Sequence, residues 1–558
     1  MATDSLIRIM KRLFFIALMC CNMSAQSRIY FIRFTDRIGS PFSVNQPQQF
    51  LSQRSIDRRI RFNIPVVAND LPVNAAYVDS LVAHGAQVLN QVKWFNGVTV
   101  NCDSATLASL INLPFVQQSV PVKRVVPNGR KVNKWENHDV PLQKQSYLNA
   151  SNTVFNYGTS YRQINQLNGD FLHLNGYCGE DMLITAIDAG FNSADQLPVF
   201  DSAFSSGRIL STWDFVDLQP GVYEDDAHGT EVLSTMAGNI PGLIVGTAPR
   251  ASYLLLRSED ANTEYLVEEY NWAAAAAFAD SAGTDVITSS LGYSEFDDPS
   301  MNHTYADMNG NTCPSSIAAD MAAAKGMLVL VSAGNLGNGA WHYISCPSDA
   351  DSVLSVGAVD SLGYKAGFSS WGPSADGDIK PNVAAMGSRS YLAFYDGTFG
   401  HGSGTSFSCP TLAGAAACLW QAHPQKSNME IFHAIEQSAS YYSTPGDSLG
   451  YGIPNFQMAD VILGGTILNL PVNDQLTGLY PNPFTDNLYF TFNSTCIQNL
   501  EVNLFDMRGA CVESKSMNIN TGSGNELSLH LNPGLASGIY LLKVKSKENT
   551  FFRKVICR

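Results

Sequence analysis

Five short runs of apolar residues most constrain what this chain can fold into: Met182 to Ile187, Ser252 to Leu256, Asp285 to Ser289, Met327 to Ser332 and Val353 to Val359. None alternates polar with apolar residues, so each reads as a strand buried on both faces, as in a parallel sheet. Helical patterns lie between them over His228 to Ala237, Glu264 to Ala279 and Ser316 to Ala324. Strands and helices in alternation predict an α/β body over about 150–462, a parallel sheet with helices on both faces. In such sheets the chemistry gathers at the carboxyl ends of strands.

A second stretch is equally specific. Gly397, Gly400, Gly402 and Gly404 lead into Thr405-Ser406-Phe407-Ser408-Cys409-Pro410, and small apolar residues continue to Trp420. This reads as a buried helix with Ser406 in its first turn. Free N–H groups and the positive end of the helix dipole sit there, where an oxygen that becomes negative is stabilised. Pro410 lacks the N–H that would bond the carbonyl of Ser406. Taken singly, Ser406 is a helix cap.

Two further residues change that reading. Asp188 ends the first apolar run, and a carboxylate there is costly to bury without a partner. His228 opens a helix in His228-Gly229-Thr230-Glu231, where the positive helix end favours a neutral imidazole able to act as a base. The chain order is Asp188, His228, Ser406.

The rest of the chain falls into separate units, as 558 residues require. Lys11 and Arg12, an apolar run to Cys21 and a small residue before Gln26 read as a signal peptide over 1–25. No later segment is long and apolar enough to span a membrane. Residues 26–122 read as a compact α+β unit. Its strands are Ile29 to Phe34, Lys93 to Val100 and Phe115 to Val120; its helices are Ser52 to Phe62, Asn74 to His84 and Ser104 to Leu110. A polar stretch over 123–160 follows, with Lys123-Arg124, Arg130-Lys131 and Lys134, and reads as an exposed linker with a processing site. The catalytic unit is expected over 161–462, a linker over 463–477, and a β-sandwich over 478–558 with strands such as Asn487 to Phe492 and Ile539 to Val544.

Composition excludes some classes. A formal net charge of -15 argues against nucleic acid as a partner. Nine cysteines remain beyond the signal and none forms a Cys-x-x-Cys pair, which excludes zinc ribbons. Cys313 and Cys346 flank one segment of the body and are the expected disulfide; Cys409 and Cys418 are expected as free core thiols.

These blocks together carry a resemblance. Asp188-Ala189-Gly190, His228-Gly229-Thr230, Gly246-Thr247-Ala248-Pro249, Ser290-Leu291-Gly292, Ser332-Ala333-Gly334-Asn335, Phe368-Ser369-Ser370-Trp371-Gly372-Pro373 and Gly404-Thr405-Ser406 resemble, in order, the subtilisin-like serine proteases. The Asp, His, Ser order is the one known for subtilisin. The resemblance implies a secreted serine endopeptidase that hydrolyses peptide bonds through an acyl-enzyme. Asp188, His228 and Ser406 would form the triad and Asn335 would serve the oxyanion. Ser290, Leu291, Gly292, Ala333 and Gly334 would bind substrate. Residues 26–122 are similar to the inhibitory propeptides of that family. Tyr480-Pro481-Asn482-Pro483-Phe484 and Leu535-Ala536-Ser537-Gly538-Ile539-Tyr540 resemble the C-terminal sorting domain of type IX secretion.

The implied partners are polypeptide substrates, the chain's own propeptide as inhibitor and the type IX secretion machinery. The implied location is outside the cell or on its outer surface, reached through the periplasm. No cofactor is required for the chemistry; Asp225, Asp226, Asp297, Asp298, Asp376 and Asp378 could serve structural calcium, but no spacing matches a calcium loop, so no metal ligand is assigned. A catalytically inactive binding protein on the same fold is the alternative. Ala189, Phe407, Cys409 and Tyr293 depart from the family pattern, and Tyr293 would narrow the pocket. Glu259 and Asp260 either face the substrate and favour basic side chains or are solvated loop acids.

Overall fold

The computed structural model describes residues 28–124, 134, 155–465, 474–494, 498–519, 522–531, 535–547 and 549–558. The expected signal peptide and most of the expected linker lie outside them.

The N-terminal unit is a four-stranded antiparallel sheet. Its strands are β1 (Arg28–Phe34), β2 (Gln87–Val92), β3 (Gly97–Cys102) and β4 (Val116–Lys123), in the order β2-β3-β1-β4. Helices α1 (Gln53–Arg61), α2 (Ala75–Ala83) and α3 (Ser104–Leu110) begin where caps allow, at Ser52, Asn74 and Asp103, each accepting a backbone N–H. The expected single strand over Lys93 to Val100 is not formed. β2 ends at Val92, Lys93–Phe95 make one 3-10 turn, and Asn96 adopts φ 52° before β3. Asn-Gly is a hairpin signal, and here it breaks the apolar run in two.

The body is a seven-stranded sheet. It contains β5 (Leu183–Asp188), β6 (Ile209–Asp214), β7 (Ser252–Arg257), β8 (Val286–Ser289), β9 (Leu328–Ser332), β10 (Val353–Val359) and β11 (Val383–Met386). Neighbours run in the order β11-β10-β9-β8-β5-β7-β6, and every pairing is parallel. From β5 the chain runs to the edge strand β6, returns to β7 between the two, and then crosses β5 to β8. The direction therefore reverses beside β5, and a crevice opens at the carboxyl ends there.

Helices α4 (His228–Ala237), α5 (Val267–Ala282), α6 (Pro314–Ala324) and α7 (Thr405–Ala422) cover the two faces. α7 packs among Leu412, Ala413, Ala416, Leu419 and the sheet residues Leu330 and Val356, all buried. It is apolar all round because it runs through the core. α5 starts three residues later than the sequence pattern predicts, since the Glu264 N–H is held outside the helix by Asp297 Oδ2 from the segment beyond β8. Cys313 and Cys346 form the expected disulfide, and Cys409 and Cys418 are buried free thiols.

The N-terminal unit sits on α5. Phe31 stacks on Tyr270 with ring centres 4.4 Å apart, and Asn90 donates to Asn271 at 2.9 Å. Arg58 and Arg59 reach Asp280 at 2.6 and 2.9 Å, all three side chains buried.

The C-terminal unit comprises β12 (Gln475–Tyr480), β13 (Asn487–Ser494), β14 (Gln498–Phe505), β15 (Cys511–Ile519), β16 (Gly522–His530), β17 (Gly538–Lys545) and β18 (Thr550–Cys557). One sheet orders β12-β13-β16 and the other β15-β14-β17-β18. Phe490 and Phe492 of the first face Val502, Leu504, Leu542 and Val544 of the second. Alternate residues of β13 are buried, as a two-sheet sandwich demands. β12 begins at Gln475, inside the stretch read from sequence as linker. β15 was not foreseen either: only Met517 and Ile519 among its residues are buried, so it shows no apolar alternation.

Candidate active site

Asp188 is the last residue of β5 and is fully buried. Its Oδ1 accepts the Ala189 N–H at 2.8 Å and bonds His228 Nδ1 at 2.7 Å. His228 is the first residue of α4, and Asp226 Oδ1 accepts its backbone N–H at 2.8 Å. Gly229 brings this helix end against the loop after β5. A β-carbon there would lie 2.3 Å from the Gly190 carbonyl oxygen, so no other residue keeps the same approach.

Burial alone would depress the imidazole's pKa. The Asp188 charge and hydrogen bond, with Glu231 and Asp226 near by, outweigh it and hold His228 above its ordinary 6.5. Burial raises the Asp188 carboxyl, with His228 opposing. Glu231, in the first turn of α4, is pushed up to about 7 by burial. Asp188 Oδ2 is buried without a hydrogen-bond donor among the described residues. Ala189, the next residue, has no side-chain donor to offer it.

Ser406 lies in the first turn of α7, and the ring of the next residue, Phe407, is centred 6.2 Å from that of His228. The Pro410 gap in the helix ladder is filled. Ser290 Oγ donates to the Ser406 carbonyl at 2.9 Å, so the segment after β8 is pinned to the nucleophile's own backbone. Asn335 follows β9. Its Oδ1 accepts both the backbone N–H of Thr405 at 2.8 Å and the Thr405 hydroxyl at 2.9 Å. With the carbonyl end fixed, the amide nitrogen faces the Gly404 side, one residue from the start of the helix. Gly334 N–H donates to Thr405 Oγ1 at 3.2 Å, which ties the Ala333-Gly334 segment to the same turn.

The structure thus brings Asp188, His228, Ser406, Asn335, Ser290 and Gly334 to one edge of the sheet. Leu291 and Gly292 continue from Ser290, and Tyr293 behind them is buried. A carboxylate–imidazole pair beside a serine at a helix N-terminus can move a proton from hydroxyl to leaving group, with donors near by for an oxyanion.

Two expectations need correction. Glu259 is not a solvated loop acid: it is 2% exposed and bonds Lys134. Lys134 is not part of an exposed joint either, because its side chain is 5% exposed. Burial of both was hidden from a sequence reading, since charged residues in polar stretches ordinarily face water. The acids named for calcium divide. Asp225, with Asp214 and Asp217, surrounds Arg257, and Asp298 holds Arg124, so each group already contains a cation of the chain. Asp376 and Asp378 meet Asp351 at the surface, and nothing else there points to an ion.

A parallel sheet with this edge defines a serine-hydrolase class of site. Comparison with known families is specific. Residues 179–453 match the subtilase family, 29–138 the peptidase S8 propeptide domain of Bacteroidota, and 478–558 the secretion system C-terminal sorting domain. The chain is 30% identical to subtilisin of Bacillus pumilus over 294 residues, 52% of this chain and 94% of the relative. It is 29% identical to subtilisin E of Bacillus subtilis (strain 168) over 313 residues, 55% of this chain and 72% of the relative. The chain belongs to the subtilase family and is a serine-type endopeptidase with its own propeptide and a C-terminal sorting domain.

Proposed function

We propose that the chain is a secreted endopeptidase in which Ser406 Oγ attacks the peptide carbonyl. His228 takes the proton and returns it to the leaving amine. Asp188 orients the imidazole and stabilises its charged form. The Asn335 amide and the Ser406 N–H receive the oxyanion. An extended substrate lies along Ser290–Gly292 as an added strand, with Ala333-Gly334 walling the pocket before the scissile bond. The observation that carries this reading is the 2.7 Å His228–Asp188 bond at the edge where α7 presents Ser406. The chemistry uses side chains and backbone alone and requires no cofactor. A fluorophosphonate tests it: one adduct, on Ser406, is expected, and an enzyme that cleaves peptides while Ser406 stays unlabelled would sink the assignment.

The imidazole must be neutral to accept the proton. Its raised pKa keeps the protonated form populated to higher pH than usual. The acid limb of kcat/KM is therefore expected to have its midpoint above 6.5. A midpoint below that value would show that Asp188 does not hold the charged form.

The propeptide is proposed to inhibit the body while it covers α5. The C-terminal sandwich is proposed to address the chain to the type IX machinery after passage into the periplasm. Its two sheets bury their own core, so the body does not need it to fold. Truncation after Leu470 is expected to leave purified peptidase activity near normal and to trap the protein in the periplasm of its host. Unchanged secretion of the truncated chain would refute the sorting role.

A further inference from the structure

Lys134 follows the last propeptide strand by eleven residues and is buried in a pocket of the catalytic body. Its Nζ lies 2.6 Å from Glu259 Oε2, 3.0 Å from Glu264 Oε2 and 2.9 Å from Glu268 Oε2. The three carboxylates are 3%, 6% and 2% exposed. The ammonium gives one donor to each of the three but balances the charge of one. Burial pushes the Glu264 carboxyl up to about 8 and the Glu268 carboxyl well above the ordinary range, so protons on these acids balance the rest.

The pocket belongs to the crevice. Glu259 stands two residues beyond β7, whose last residue Arg257 is in register with Asp188. The intervening Ser258 N–H donates to the Asp188 carbonyl at 3.0 Å. On the other side, Tyr293 directly follows Ser290–Gly292. Burial, and then the charge of Glu259 beside it, hold its phenol well above the ordinary pKa. The acids thus lie between the segment that bears Asp188 and the segment proposed to pair with substrate. Lys123 approaches the same loop, its Nζ 3.8 Å from Asp260 and 5.1 Å from the centre of the Tyr265 ring. The family propeptide match runs to residue 138, so Lys134 belongs to the part expected to depart on maturation.

We propose that Glu259, Glu264 and Glu268 form a specificity subsite for a lysine or arginine side chain on the acyl side of the scissile bond, which Lys134 fills in the precursor. This rests on the endopeptidase reading above. Removal of the propeptide takes from the three acids the cation that lets one of them stay ionised in the buried site, and a basic substrate side chain restores it. A neutral side chain of the same length leaves the acids without a cation, and an acidic one adds a negative charge against them. The acids then act as binding residues for the substrate, apart from the reacting atoms.

The test uses the processed enzyme and peptides cut from a proteome, with the cleavage sites sequenced. Enrichment of lysine and arginine at one position upstream of the cut is expected. Two internally quenched peptides that differ only there, lysine against norleucine, should then differ in kcat/KM by roughly 30-fold or more, the scale for leaving a buried charge unpaired. That comparison needs no variant. In a Glu259→Gln enzyme and in a Glu264→Gln, Glu268→Gln double variant the lysine-to-norleucine ratio should fall towards one. Cleavage without any upstream basic preference, or a ratio unchanged in both variants, overturns the subsite and leaves the endopeptidase reading standing. Absence of any cleavage, with Ser406 unlabelled by a fluorophosphonate, removes both.

Discussion

A Ser406→Ala chain is expected to lose roughly 10⁶-fold in kcat, the scale that removal of the nucleophile costs in subtilisin. The reason is local. Ser406 is the group in the turn shared by the α7 N-terminus, His228 and Asn335 that can form a covalent acyl intermediate, and alanine cannot replace it. The fold should survive. The substitution leaves the backbone carbonyl of residue 406, held by Ser290, in place. Circular dichroism and thermal unfolding of the purified variant check the fold, and turnover of a peptide substrate checks the chemistry. The variant should also arrest processing, so the precursor accumulates with its propeptide attached. Comparable turnover by a folded Ser406→Ala protein would remove Ser406 from the mechanism.

Asp280→Ala should weaken the hold of the propeptide on the mature body roughly 10²- to 10³-fold. Asp280 lies near the end of α5 and is fully buried beneath the propeptide. It receives Arg58 at 2.6 Å, and Arg59 at 2.9 and 3.0 Å through both oxygens; Lys93 stands 3.7 Å away. Burial alone would raise its pKa, and these three cations hold it low instead. Deleting the carboxylate leaves three cations facing each other in a closed interface, with Asp70 beside Arg59 as a remaining counter-charge. Breaking one partner of a buried ion pair costs about 3–5 kcal/mol, because the other charge stays unpaired. The measurement is the inhibition constant of the released propeptide against the processed enzyme, with and without the substitution. An unchanged constant would show that the ion cluster forms on the surface of the precursor without contributing to the grip.

The sequence alone determined the class of fold and most of the residues at the crevice. Strands buried on both faces must be apolar throughout, so β5, β7, β8, β9 and β10 were visible as unbroken runs, and helices between them left only a parallel sheet. Asp188, His228 and Ser406 each stand where an element begins or ends, and such boundaries are marked by abrupt changes in residue type. Shorter-range signals were weaker. The Asn96-Gly97 turn was overrun by the apolar residues on either side, and β15 is too exposed to show alternation.

Only the tertiary structure decided how those residues are wired. Ser290, 116 positions from Ser406, supplies the donor that Pro410 removes from the helix, and Asn335 is aimed by Thr405. It also decided which charges leave water. Lys134 and Glu259 sit in polar stretches that pattern reads as solvated, yet they close on each other across 125 positions. Whether a charge is buried depends on a counter-charge brought from elsewhere in the chain, and residue periodicity carries no record of that partner.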